Sequence, residues 1–356
     1  MKIAYISPYF SIGGTEEHIL QLISSLKRRH EIILLTTRGE DERVGGEIKL
    51  IHFPFLKGRR IISGLPGVIK GLKKLSKYNP DLVHVHAGAE FLLLSKLSGI
   101  RAPLVFTCHG YIRSFDYFTS AFLCNLFADK VIAVSRAERN FLLKKGLRKE
   151  KIKVIWHGIE KKKLNKKKVE ELKAHYGIGN RKVVLGAVGR LSKEKGIPLL
   201  LKAVSSLSCQ NILLMFLGGG DKKVYFQGLA KKLHLEEKTV FTGFVPDVEN
   251  YLKLFDIFIS SSLKESFGLS ILEAMSMGKP ILAADIAPLR EIVGEGGLFF
   301  KKGSILDLRD KLSYLIEDRP LRENLARKAE LRFKNFFQIK DMVEKTEAVY
   351  KKLIRL

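Results

Sequence analysis

Residues 264–280 read KESFGLSILEAMSMGKP, and the change of pattern around this stretch sets the architecture. Upstream, FDIFISSS (255–262) is an apolar run of β-formers ending in small hydroxyls, which suits a buried strand. Downstream, LSILEAM (269–275) places apolar residues at 269, 271, 272 and 275, which suits a packed helix. Glu265 therefore falls on a strand-to-helix loop and Glu273 inside the helix. Between them, Ser266, Phe267, Gly268 and Leu269 would offer backbone N–H groups at a helix N-terminus, where phosphates and polar sugar oxygens are attracted. Two acceptor-only carboxylates flanking such a terminus suit a ligand with hydroxyls and phosphate, such as a sugar nucleotide. The same residues also read as a helix capped near Ser266 with two solvated glutamates.

The strand–helix alternation extends both ways from this stretch. In the first half, KIAYISPY (2–9), HEIILLTT (30–37), EIKLIHFP (47–54), PDLVHVHA (80–87), PLVFTCHG (103–110), KVIAVS (130–135) and KVIWHGI (153–159) read as strands, with helix-like segments between them. The first such segment, EEHILQLISSLKRR (16–29), carries apolar residues at 19, 20, 22, 23 and 26, one helix face. The pattern restarts with RKVVLGAVGR (181–190), NILLMFLGGG (211–220), TVFTGFV (239–245), FDIFISS (255–261) and PILAAD (280–285). Such alternation implies parallel sheets covered on both faces. We expect an N-terminal domain over 1–160, a basic linker over 161–181, a second domain over 182–335 and an amphipathic helix over 336–356.

A chain of 356 residues accommodates two cores. Its three cysteines, Cys108, Cys124 and Cys209, form no close-set pair, so no disulfide framework or zinc site is indicated and a reducing, cytoplasmic setting fits. The opening MKIAYISPYF is too short an apolar run for a signal peptide, and no segment reaches 18 apolar residues. Sixty-three basic against 37 acidic residues give a net charge of +26. The excess is larger in residues 1–180, with 33 basic and 16 acidic residues. Such a surface can attract nucleic acid, anionic lipid or acidic glycans.

The string around Glu265 and Glu273 resembles the E-x7-E signature of retaining GT-B glycosyltransferases, specifically glycosyltransferase family 4 (group 1), with Ser276 where alanine is common. The resemblance implies an α/β, GT-B fold: two Rossmann-like parallel-sheet domains facing a central cleft. It also implies metal-independent transfer of a sugar from a UDP- or GDP-linked donor to an acceptor hydroxyl, on a glycan or a lipid-linked acceptor, with no cofactor. Arg190 and Lys195, in AVGRLSKEKGIPLLLKAV (187–204), lie between a strand and a helix. There, two cations can grip a pyrophosphate or merely line a solvated loop. The match to the family's G-R-L-x-x-x-K-G assigns them to the donor diphosphate. In the same scheme Glu265 holds the sugar hydroxyls, Glu273 the ribose, and His109 of FTCHG steadies the sugar. Gly14 of SIGGTEEHI and Gly219 of LGGGDKK would let backbone approach the donor, and Val245 would read the base edge. The backbone of Phe267, Gly268 and Leu269 completes the donor site. Asp247 is expected to cap the next helix.

His84 and His86 alternate on one strand, but a metal site would need a third ligand that their spacing does not supply. No Asp-x-Asp pair occurs, which agrees with metal independence. Where the family has N-G-V-D at the domain junction, this chain has His157-Gly158-Ile159-Glu160. A sugar-nucleotide epimerase can share the fold, though the E-x7-E string argues against it. A nucleic-acid binder would need an aromatic-interleaved basic strand or C2H2 spacing, and neither is present. Finally, LKGRRIISGLPGVIKGLKKLSKYNP (56–80) carries Lys57, Arg59, Arg60, Lys70, Lys73, Lys74 and Lys77, with Val68, Ile69, Leu72 and Leu75 at helical spacing. Such a helix can lie in an anionic membrane interface or pack its apolar face on a sheet. Family members with lipid-linked acceptors use comparable basic surfaces, and we expect peripheral membrane contact here.

Overall fold

The computed structural model describes residues 1–356 except 9–12, 38–43, 45–47, 54–59, 112, 180–181, 210 and 355–356, and residues 60–63 by backbone alone. The chain divides into two units, one comprising Met1–Gly158 with Ile339–Leu356, the other Ile159–Gln338.

The first unit is built on seven strands: β1 (Lys2–Ser7), β2 (Glu31–Thr37), β3 (Lys49–Phe53), β4 (Leu82–His86), β5 (Leu104–Cys108), β6 (Lys130–Ala133) and β7 (Ile152–Val154). All pair in parallel, in the order β3-β2-β1-β4-β5-β6-β7. Helices α1 (Gly14–Leu26), α2 (Arg60–Ser76), α3 (Glu90–Leu97), α4 (Ser114–Phe127) and α5 (Arg136–Lys144) alternate with them, and α14 (Ile339–Ile354) completes the unit. The strands are near-continuous apolar runs because both sheet faces are covered. One face packs Ala4, Ile6, Val83, Val85 and Phe106 against α2, α3 and α4. The other packs Ile3, Tyr5, Leu34 and Val105 against α1 and α14.

The second unit holds α6 (Lys166–His175), β8 (Val183–Val188), α7 (Ile197–Ser205), β9 (Ile212–Leu217), α8 (Lys223–Lys232), β10 (Thr239–Gly243), α9 (Val248–Leu254), β11 (Ile257–Ser260), α10 (Leu269–Ser276), β12 (Ile281–Ala284), α11 (Ala287–Val293), β13 (Gly297–Phe300), α12 (Ile305–Glu317) and α13 (Arg319–Phe336). Its six parallel strands run β10-β9-β8-β11-β12-β13. In each sheet the strand order reverses beside the first strand, between β1 and β4 and between β8 and β11. In doubly wound sheets ligands bind at the carboxyl ends of the strands at that switch point.

Three expectations change. Residues 161–181 were expected to be a linker, but they contain α6. The Asn165 side chain accepts the Lys168 N–H as its cap, and Val169 and Leu172 are buried. Strand β13, GLFF, went unread because four residues behind a glycine cluster offer no periodicity. It pairs with β12 at the sheet edge. The apolar stripe expected to face a membrane is internal instead: Val68, Leu72 and Leu75 are fully buried in the core of the first unit, leaving Lys70, Lys73, Lys74 and Lys77 exposed to solvent. The neighbouring sheet offers those three side chains a dry surface within the fold. Lys57 and Arg59 lie outside the described residues, as does the Arg60 side chain.

Candidate functional site

In the second unit the expected donor residues gather at the carboxyl ends of β8 and β11. Lys195 Nζ donates to Glu265 Oε2 at 2.6 Å, and Ser262 Oγ donates to the same oxygen at 3.3 Å. Glu265 Oε1 makes no hydrogen bond among the described residues. Both side chains of the ion pair are largely shielded, 30% exposed for Lys195 and 17% for Glu265, so their attraction is less screened than that of a surface pair. Local backbone fixes the geometry. Gly196 has φ +65°, and a Cβ there would lie 2.0 Å from the carbonyl oxygen of Ser261. Only glycine fits. Ser261 Oγ in turn donates to the Lys195 carbonyl at 2.8 Å, and Leu263 N–H to the Glu194 carbonyl at 2.7 Å. The two loops are thus sewn together, one bearing Lys195 and the other Glu265.

Arg190 follows β8 and is exposed, with no ion pair among the described residues. Together with Gly189, Lys195, Ser261, Ser262 and Ser270 it lines one crevice. Helix α10 opens the same region. Its N-cap is Gly268, at φ +111° and without a side-chain cap, rather than Ser266. The first-turn amides of Leu269 and Ser270 have no intrahelical acceptor and point from the helix's positive end. Phe267 is buried edge-on to Phe337, ring centroids 6.2 Å apart, which anchors the turn. Glu273 sits half-buried one turn into α10.

Local packing sets where glycine is required in this unit and how α9 begins. Gly219 has open space around it, whereas a Cβ on Gly218 or Gly220 would press on the carbonyl oxygens of Gly189 and Leu191 at 2.2 and 2.7 Å. The requirement for glycine falls on those neighbours, which let the β9 turn approach the β8 loop. Asp247 occupies the N-cap position of α9, beyond the half-buried Val245, but its carboxylate accepts from Asn250 Nδ2 at 3.1 Å instead of capping the backbone.

In the first unit, Gly14 begins α1 and is exposed; the preceding N-cap, Gly13, is extended. His109 follows β5 and joins a cluster that sequence spacing did not reveal. His86 Nδ1 lies 3.1 Å from His109 Nε2, and His157 Nδ1 lies 2.8 Å from His18 Nδ1. His109 and His157 stack with centroids 5.6 Å apart. His84 is held between Tyr350 Oη (2.5 Å) and Thr107 Oγ1 (2.7 Å). Each imidazole–imidazole contact needs one donor and one acceptor, so neutral rings satisfy it. Burial pushes His84 and His157 down to about 3, and His18, His86 and His109 well below their ordinary value, with the neighbouring imidazoles adding to the shift. His84, with both ring nitrogens engaged, stays out of the ligand grouping that the fold assembles around His86. His18, His86 and His109 bring ligand atoms within 4.8 Å of one another. That spread exceeds the separation of about 3.3 Å between nitrogens on a tetrahedral zinc. The rings come from α1, β4, the β5 loop and the β7 loop, and such long-range convergence leaves no local signal. The family departure at His157 thus has a packing role.

The chain is similar in sequence and in fold to known glycosyltransferases. The profile described as Glycosyl transferases group 1 matches residues 168–332, and that described as Glycosyltransferase Family 4 matches residues 12–163. The chain is 23% identical over 369 residues to the Escherichia coli "O-antigen biosynthesis glycosyltransferase WclY", covering 100% of this chain and 99% of that protein. It is 26% identical over 293 residues to the "N-acetyl-alpha-D-glucosaminyl L-malate synthase" of Bacillus anthracis, covering 78% and 76%. Among solved structures, Anabaena HepE in complex with UDP and glucose matches with a TM-score of 0.88 at 23% identity, covering 99% and 100%. The two Rossmann-like sheets are those of the GT-B fold.

Proposed function

The chain carries a group 1 glycosyl transferase domain and a glycosyltransferase family 4 domain and is a glycosyltransferase; on that premise we propose that it moves a hexosyl group from a UDP-linked donor to a glycan hydroxyl with retention of configuration. The observation that carries the reading is the Lys195–Glu265 pair at 2.6 Å beside the exposed Arg190 and the uncapped start of α10. Lys195 and Arg190 neutralise the diphosphate as the sugar departs, where preorganised charge lowers the barrier most. The amides of Gly268 and Leu269 support its oxygens. Glu265, with Oε2 fixed by Lys195 and Ser262, presents Oε1 to the sugar hydroxyls. Glu273 takes the ribose, Val245 the base edge and Gly219 the passing backbone.

The family resemblance alone assigns Gly14 and His109 to the donor. His109, held neutral by burial, can accept or donate one hydrogen bond at the sugar without adding charge. No enzymic nucleophile is required if the acceptor attacks from the leaving group's face and the departing phosphate takes its proton. No metal is required either, because two cations and a helix terminus supply the charge stabilisation. Support for UDP comes from HepE, solved with UDP and glucose, and support for a glycan acceptor from WclY, named for O-antigen biosynthesis. A cytoplasmic setting accords with the unpaired cysteines. A panel of UDP- and GDP-linked sugars, scored by released nucleotide and by NMR of the product's anomeric configuration, tests the reading. UDP release with a retained anomer is expected. An inverted product would overturn the stereochemistry, and preference for a GDP-sugar would overturn the base assignment.

A further inference from the structure

Four histidine rings meet inside the first unit, and the transfer scheme uses only one of them, His109. His18 comes from α1, His86 ends β4, His109 follows β5 and His157 follows β7. The ring of His18 stands at the centre: its centroid lies 5.4 Å from that of His86, 5.1 Å from that of His109 and 4.5 Å from that of His157. His18, His86 and His157 are buried, and His109 is half-buried. Packing alone is a poor reason for such a cluster, since apolar rings would fill the same space with no polar atoms to satisfy. Nor does the cluster satisfy its own: His86 Nε2 is buried with no hydrogen-bond partner among the described residues. An unpaired polar atom in a native core calls for a cause, and ion binding is one.

The spacing selects the ion. With metal–nitrogen bonds of about 2.0–2.1 Å, neighbouring nitrogens on a square-planar or octahedral ion lie about 2.9 Å apart and opposite ones about 4.1 Å apart. His86 Nδ1 and His109 Nε2, at 3.1 Å, have the neighbouring spacing. The 4.8 Å limit on the three-ring group, too wide for a tetrahedron, admits an opposite pair. His18 Nδ1 is taken by His157 Nδ1 at 2.8 Å, which leaves its Nε2 for the ion. Ligating histidines commonly spend their other nitrogen on such a partner, which fixes the ring and its tautomer. Each contact between imidazoles also requires an unprotonated nitrogen, and that lone pair is what a metal takes. Imidazole nitrogens in tetragonal geometry suit Ni²⁺ or Cu²⁺.

We propose that His18, His86 and His109 bind one divalent ion of the Ni²⁺ and Cu²⁺ class inside the first unit, and that His157 orients His18 for it. The half-buried His109 gives the ion its way in. Binding does not depend on the transfer reading. Its consequence does: if His109 steadies the donor sugar, an ion that holds this ring withdraws it, so the site inhibits transfer and takes no part in it. A hydrogen-bonded imidazole network that binds no metal is the competing reading.

The test is titration of the tag-free full chain with Ni²⁺ at neutral pH, followed by equilibrium dialysis and by the emission of Trp156. That residue is the sole tryptophan and adjoins His157, whose ring stacks on His109 with centroids 5.6 Å apart. A paramagnetic ion in the cluster should therefore quench it. Wild type should retain one Ni²⁺ per chain, lose emission in step with occupancy and recover it with EDTA. His18→Gln and His86→Gln should each weaken binding by at least about tenfold. His109→Gln, which alters the half-buried member, should do the same with the least disturbance of the core. His30→Gln, whose ring contacts Glu347 at 2.9 Å instead, should bind as wild type does. Melting curves taken in parallel identify any variant that fails to fold. Wild type that retains no Ni²⁺, or retains it without quenching, would overturn the proposal. Unchanged binding in folded His109→Gln would assign the ion to adventitious surface sites and overturn it equally. Transfer assayed with Ni²⁺ separates the two readings: an occupied site with undiminished transfer would leave the metal site standing and remove His109 from the donor.

Discussion

Acidification should destabilise the first unit through its buried histidines, and the size of the effect follows from their burial. His84 and His157 are 0% and 4% exposed, and both are held near a pKa of about 3. In the unfolded chain each titrates near about 6.5. The folded pKa lies below the unfolded one, so below pH 6.5 the unfolded state binds more protons and stability rises with pH across this window. Between about pH 7.5 and 5.5 each such histidine costs about 1.4 kcal/mol, so the pair costs about 3 kcal/mol. His18, His86 and His109 are shifted in the same direction and add to it. Carboxylates with depressed values, such as Glu347, hold their charge across that interval and contribute only at lower pH. The assay is urea unfolding followed by tryptophan fluorescence. Trp156 is the sole tryptophan and belongs to the first unit, so its emission reports that unit. His84→Gln removes one titrating ring and should make the pH dependence shallower by about one proton. An unchanged unfolding free energy over this interval, or a gain at the acid end, would refute the argument that these rings are buried and neutral.

Other consequences are open to simpler tests. Transfer should survive a chelator; a strict requirement for added Mn²⁺ or Mg²⁺ would overturn metal independence and direct attention to His18, His86 and His109. Gly196→Ala should lower stability by at least about 2 kcal/mol, since it combines a left-handed backbone with a Cβ on the Ser261 carbonyl. It should also reduce transfer by displacing Lys195, and a variant with wild-type melting would contradict the packing described. Gly219→Ala should leave the melting temperature unchanged within error, because no atom lies within 4 Å of the new methyl. A large loss of stability there would contradict the placement of the requirement at Gly218 and Gly220.

The sequence yields most where structure is local. The FDIFISSS-to-LSILEAM transition placed β11 and α10, and the glycine-rich ends of β8 and β9 marked the turns that meet there. Arg190, Lys195, Glu265 and Glu273 all lie within the second unit at the switch point, where motif and topology coincide. Three things escaped. Phe115, Phe118 and Phe122 belong to FDYFTSAFLCNLF, which is apolar on every side, so periodicity could not say which face was outward. The stripe of α2 had a clear period, yet period alone cannot separate lipid from a neighbouring sheet, and the sheet won. The histidine cluster joins residues 18, 86, 109 and 157, whose proximity exists only once α1 and the ends of β4, β5 and β7 are brought together by the fold. Long-range pairing of that kind is written in the topology and in no single segment.

The central claim is that Lys195 and Glu265 act on one sugar diphosphate. It is tested most directly by single-turnover release of UDP from UDP-glucose by wild type, Lys195→Ala and Glu265→Gln, with melting curves taken in parallel. The account predicts a loss of at least tenfold in each variant, about 1.4 kcal/mol in the barrier, with the fold intact. Wild-type rates in either variant would contradict it.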